Sequence, residues 1–134
     1  MATISLSQAP YEGLVKSVTP DQLIQIYDAT GFALELAAHG MRAGDADRQR
    51  EGIRKGQHFL AHLSAILRYD DSPITIDLQC LYLNLVQRLV LANAYQDPAA
   101  VDEVIDILRE LRNAWSDAVT RVFQHDSESL LLAA

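Results

Sequence analysis

The chain has 134 residues, 49% of them apolar and 22% charged, a balance that suits one folded domain with one core and excludes a disordered chain. Its formal net charge of −7 argues against a nucleic-acid partner, whose phosphates are met by clustered Lys and Arg. The densest basic run, Arg48, Arg50, Arg54 and Lys55, is interrupted by Glu51 and follows Asp45 and Asp47, so it reads as a solvated face. Cys80 stands alone, which rules out an internal disulfide and leaves nothing that points to an oxidising compartment.

The first ten residues, MATISLSQAP, carry no basic residue ahead of an apolar block and do not form a secretion signal, so a cytoplasmic location is expected. Ile4, Leu6, Tyr11, Leu14, Val15 and Val18 are nevertheless more apolar than a solvated arm needs. Two readings of this cap segment, residues 1–18, stand open: it lies along an exposed groove and is displaced by a partner, or it packs permanently over one end of the fold.

Thr19-Pro20-Asp21-Gln22 announces the first helix. Thr19 is a capping residue, Pro20 suits the first helical position, and Gln22 stands where a capping box places its return acceptor. Leu23, Tyr27, Leu34, Ala38 and Met41 then share one side, and the stretch ends near Gly44, giving a helix over about 20–43. Asp45 or Asp47 caps a second helix with Ile53, Leu60, Leu63 and Leu67 on one stripe. Asp70-Asp71-Ser72-Pro73 breaks it, because Pro73 disfavours helical geometry in Ser72.

The third helix is predicted from about Ile74 to Ala94, with Leu78, Leu81, Tyr82, Leu85, Val86 and Leu89 inward. Between Leu78 and Tyr95 its only charge is Arg88, but Gln79, Asn84, Gln87 and Asn93 fall on several sides, so insertion in a membrane is not expected. Asp97-Pro98 opens the fourth helix, whose buried side carries Val101, Val104, Ile105, Leu108, Leu111, Trp115, Val119 and Val122. Helices of roughly 20 residues, about 30 Å each, joined by short links predict an all-α, antiparallel up-down four-helix bundle over about 20–123, with the N-terminal segment or a short helix packed on it and 124–134 as a tail. Residues 1–134 form a single domain in this reading.

The third helix holds more apolar surface than a core needs. At about 100° per residue, Cys80, Leu83, Val90 and Leu91 fall opposite the inward sector, and on the first helix Phe32 and Leu36 lie off the core stripe. Large exposed apolar patches mark binding sites. The pattern alone leaves open whether a partner covers these groups, whether a tail or a second copy does, or whether the helix is central in an imperfect bundle.

The chain carries no complete catalytic signature. His58 and His62 have the four-residue spacing of two metal ligands, but the intervening residues lack the zinc-protease glutamate and no third ligand is near, so they read as a surface pair open to adventitious metal only. His62 is followed by Leu63-Ser64-Ala65 rather than the Lys-Gly that usually follows a phosphotransfer histidine. His125-Asp126-Ser127 has the residue types of a hydrolase triad on consecutive positions that cannot hold triad geometry. Cys80 has no neighbouring histidine base, and there is no glycine-rich phosphate loop. Neither an enzyme nor a cofactor is expected.

Between Tyr11 and Val122 stand Tyr11 with Val15, Val18-Thr19-Pro20-Asp21-Gln22-Leu23, Ile26-Tyr27-Asp28, Leu81-Tyr82, Arg88-Leu89, Ala92-Asn93, Asp97-Pro98, Glu103-Val104, Leu108-Arg109, Leu111-Arg112 and Ala114-Trp115. In these elements the chain resembles the FliS family of flagellar secretion chaperones. Their order and spacing, not any one piece, carry the likeness. The resemblance implies a cytoplasmic chaperone that holds the disordered C-terminal segment of flagellin, prevents premature polymerisation and presents its cargo to the flagellar type III export gate, with room for a co-chaperone. It implies no cofactor and no reaction, and a monomer or weak dimer. It also implies that the segment containing Tyr11 covers part of the groove when cargo is absent. The expected partner-binding residues are Tyr11, Phe32, Leu36, Cys80, Leu83, Val90 and Leu91. The alternative is a self-associating adaptor bundle, or a signalling bundle of phosphotransfer type.

Overall fold

The computed structural model describes Val15, residues 18–67 and residues 73–133, with side chains up to Ala118. Its elements are α1 (Pro20–Ala43), α2 (Ala46–Ala65), α3 (Pro73–Tyr95) and α4 (Pro98–Ala133). The sequence signals at the ends act as expected. The Thr19 hydroxyl accepts from the Gln22 backbone N–H at 3.1 Å while the Gln22 side-chain oxygen accepts from the Thr19 N–H at 2.9 Å. Two donors without partners inside the helix are thereby satisfied. Gly44 closes α1 in the left-handed region at φ 70°, where glycine has no steric penalty. Of the two candidate caps for α2, Asp45 is the one used, accepting from the Arg48 N–H. Asp97 caps α4 through the Ala100 N–H. Helix α4 continues past Val122, where its apolar stripe was expected to end, to Ala133.

The helices form a ring in chain order: α1 packs on α2, α2 on α3, α3 on α4, and α4 closes onto α1. Contacts between helices show each neighbour to be antiparallel. Arg42 near the end of α1 meets Asp102 near the start of α4, and Asp28 near the start of α1 meets Arg112 farther along α4. Gln49 and Ser64 of α2 meet Asn93 and Gln79 of α3 in reversed order. Leu23, Leu34, Leu60, Leu63, Leu78, Leu85, Leu89, Val101 and Val104 fill the centre. Thus α3 is the core helix of a bundle, although by length and composition alone it would suffice to cross a membrane.

One contact of the ring is set by glycines. A Cβ on Gly52 would lie 2.5 Å from the Ala33 carbonyl oxygen and 2.5 Å from the Ala37 nitrogen, and one on Gly56 would lie 2.4 Å from Leu34 Cδ2. Gly40 stands equally close to the Gln49 nitrogen from the other side. Ala33, Ala37 and Gly40 of α1 thus face Gly52 and Gly56 of α2 with almost nothing between the two backbones. On an exposed helix, Gly→Ala gains about 1 kcal/mol of helix propensity. Here Gly52→Ala forces the backbones apart, and a net loss of about 1–3 kcal/mol is expected in urea denaturation.

Across the ring, the Tyr27 and Tyr82 hydroxyls share a buried hydrogen bond and the Trp115 indole N–H donates to the Tyr27 oxygen at 2.9 Å. This polar node ties α1, α3 and α4 in one layer. Burial raises the Tyr27 phenol well above its ordinary value of 10, and the neighbouring Tyr82 raises it further. Burial pushes Tyr82 up to about 12, against the opposing hydrogen bonds of Tyr27 and Trp115. Both pKa values are higher folded than unfolded, so the stabilising effect is complete below pH 10. It is lost as pH rises from 10 towards the folded values, because the unfolded chain releases these protons first. Stability measured by denaturation should therefore fall more steeply above pH 10 in the native chain than in the Tyr27→Phe, Tyr82→Phe double variant.

Candidate partner-binding site

Helix α3 turns Leu78, Tyr82, Leu85 and Leu89 inward, and large apolar side chains on its opposite side stand exposed among the described residues. Leu83 is 60% exposed there, with Val90 and Leu91 comparably open and Cys80 exposed beside them. Ile76 and Tyr95, the latter 78% exposed, extend the same side towards the two ends of the helix. The sequence reading missed both because they lie at the ends of the predicted helix, where periodicity is a weak guide. The signal was present, since Ile76 stands seven residues before Leu83.

Phe32 on α1 is 74% exposed and Leu36 is half-buried. Phe32 borders a cavity of about 190 Å³ between α1 and α4, floored by Tyr27, Gly31, Ile105 and Leu108. Ion pairs bridge this groove: Asp28 to Arg112 at 3.0 Å, Glu35 to Arg109 at 3.8 Å, and Arg42 to Asp102 farther along. Because α1 and α3 are diagonal in the ring, the outward side of one faces away from that of the other. The expected site residues therefore divide into two patches on opposite sides of the bundle: Cys80, Leu83, Val90 and Leu91 on α3, and Phe32 with Leu36 on α1.

Tyr11 lies outside the described residues. Four residues on in sequence, Val15 is 4% exposed, belongs to the core and pairs with Leu67 in a single antiparallel bridge. Val18 follows in a shallow groove between α1 and α2 with Ile26, Phe59 and His62. Val15 and Val18 of this segment are thus part of the fold. Val15→Ala should cost about 1–2 kcal/mol through lost burial, and its melting curve against that of the native chain checks this.

The basic run of α2 is neutralised in place. Arg48 pairs with Asp45, Arg50 with Asp47, and Arg54 and Lys55 with Glu51, whose carboxyl they hold below its ordinary range. These exposed pairs add little stability, but they leave no concentrated positive patch on α2. His58 and His62 are both exposed, and among the described residues no three His, Cys, Asp or Glu side chains converge on a metal position.

A family model described as Flagellar protein FliS matches residues 5–122. A flagellar secretion chaperone FliS of Salmonella typhimurium is 30% identical over 112 residues, which cover 81% of this chain and 83% of the relative. One of Bacillus subtilis is 26% identical over 117 residues, covering 84% and 87% respectively. One of Vibrio cholerae is 29% identical over 105 residues, covering 75% and 76%. With a helical bundle, an uncovered apolar helix face and a family match over most of its length, this chain belongs to the FliS family of flagellar proteins, a family of chaperones and not of enzymes.

Proposed function

We propose that this protein is a cytoplasmic export chaperone that binds the disordered C-terminal segment of flagellin, keeps it from polymerising prematurely and delivers it to the flagellar type III export apparatus. The observation that carries the reading is the row of large apolar side chains left outside a completed bundle on α3. At roughly 25 cal/mol per Å² of apolar area, covering three or four such side chains contributes about 5–8 kcal/mol gross. Ordering a flexible guest offsets much of that, and the binding remains reversible, as release at an export gate requires.

The division into two patches favours a flexible cargo over a rigid one. A folded partner docks on one side of the bundle. A disordered chain can occupy the α3 face and pass around a neighbouring helix to Phe32. With helices packed about 10 Å apart, that path is about 30 Å, or on the order of ten extended residues. The arrangement fits a segment with two apolar clusters separated by a polar stretch of that length.

Replacing Leu83 and Val90 with Asp should abolish calorimetric binding to a flagellin C-terminal peptide while circular dichroism stays helical, since both side chains are exposed. Phe32→Asp should weaken the same binding by about tenfold or more, as for an interface anchor. Unchanged affinity in the α3 variant would remove the proposed groove.

A further inference from the structure

Two helices of the bundle end on a residue in the left-handed region. At the end of α1 it is Gly44, at φ 70°, and just past the end of α3 it is Gln96, at φ 52°. Glycine has no Cβ to crowd the backbone there, whereas glutamine is strained. Strain kept at one position points to a task for the side chain that stands on it. Gln96 does little for its own helix: its amide donates to the Asn93 carbonyl over a long 3.3 Å, at the surface. It stands instead at the edge of an open groove of about 440 Å³ between α2 and α3.

The groove has an apolar floor and a set of carboxamides. Ile53, 6% exposed, lies at the bottom, and Gln49, Gln57, Asn93 and Gln96 line the sides. Gln49 is itself 8% exposed, and its amide nitrogen donates to the Asn93 side-chain oxygen at 2.8 Å. Its own oxygen, still in reach of solvent, has no partner among the described residues. The Gln57 amide and the Asn93 amide nitrogen make no hydrogen bond with any described residue either. A carboxamide offers what a peptide group offers, N–H donors and a C=O acceptor side by side. Several of them over an apolar floor therefore match an extended main chain whose own groups belong to no helix or sheet. Arg50 and Arg54 at the edge are paired with Asp47 and Glu51, so no unbalanced charge selects the guest.

The groove is also continuous with the apolar face of α3. Asn93 and Gln79 hydrogen-bond to α2, and Val90 stands three residues before the first while Leu83 stands four after the second. One helical turn apart, such residues share a flank. On α1, Leu36 stands three residues after Ala33 and four before Gly40, both of which face α2. The two apolar patches therefore both lean towards α2. The geometry points to the α2–α3 groove as a further contact for the cargo, one that holds main chain and not side chains. The polar stretch between the cargo's two apolar clusters leaves α3 past Val90, lies extended on Gln49, Gln57, Asn93 and Gln96, and crosses α2 on its way to Phe32. This rests on the function proposed above. It lets the chaperone grip the stretch whatever its sequence, while the apolar patches on either side select the guest.

Calorimetry of the full chain with a flagellin C-terminal peptide tests this. Gln57→Ala and Gln96→Gly should each weaken binding about three- to tenfold, the effect of one or two ordinary hydrogen bonds. Gln96→Gly should do so with a thermal midpoint equal to or above that of the native chain, because the strain is relieved. N-methylation of the peptide's backbone along its polar stretch should lower affinity for the native chain by a similar factor. Against the Gln57→Ala, Gln96→Gly double variant the same methylation should matter much less. Alanine at the same peptide positions should change little. Native affinity in both single variants overturns the groove and leaves the cargo reading standing on Leu83 and Val90. Sensitivity to alanine but not to N-methylation overturns main-chain recognition, since the groove then reads side chains. A peptide that fails to bind the native chain sinks the cargo reading, and this inference with it.

Discussion

The bundle depends on one approach of backbone to backbone. At Gly52 there is room for no side chain at all, because the Ala33 carbonyl and the Ala37 amide already occupy the space that a Cβ would need. Two helices normally stand about 8–10 Å apart with side chains interlocked between them. Here small residues on both sides let α1 and α2 come closer, and Gly40 and Gly56 extend the contact in both directions. The pair forms a fixed slab to which α3 and α4 are added through side chains. A seam of this kind resists change strongly, since a backbone cannot rotate out of the way as the end of a lysine can.

The second constraint is polar. The Tyr27, Tyr82 and Trp115 groups are buried and mutually satisfied, and they come from three different helices. Leucines tolerate a slip of one helix along another far better than a hydrogen-bonded set does, because a slipped hydroxyl in a dry core loses its partner. The node therefore fixes how α3 stands relative to α1 and α4. In doing so it fixes which side of α3 faces outward. Tyr82 points to the centre, and Leu83 and Val90 consequently point away from it.

This geometry connects the fold to the chaperone family. The core is filled without the outward side of α3, which leaves that side exposed. Apolar contact is non-directional and suits a guest with no fixed shape. Phe32 stands on the opposite side of the ring, so under the proposed function the cargo would have to bend around the bundle to reach both patches.

Much of this was legible in the chain. Local chemistry fixed the helix ends: Thr19 with Gln22, Gly44, Asp45 and Asp97 act on neighbours within four residues, and such interactions are written in sequence order. Periodicity gave the inward stripes and the surplus on α3, because a helix repeats every 3.6 residues whatever it packs against. Three things required the tertiary structure. The closeness at Gly52 and Gly56 depends on α1 lying opposite, and in sequence they are only two glycines in a helix. The hydrogen bonds of Tyr27 join residues 55 and 88 positions away. The separation of Phe32 from the α3 face follows from the order of helices around the ring, and a pattern read along one helix carries no information about its diagonal neighbour. Sequence alone determined what each helix would hide and show; only the packing of the four decided where the shown surfaces stand, because that depends on distances between segments far apart in the chain.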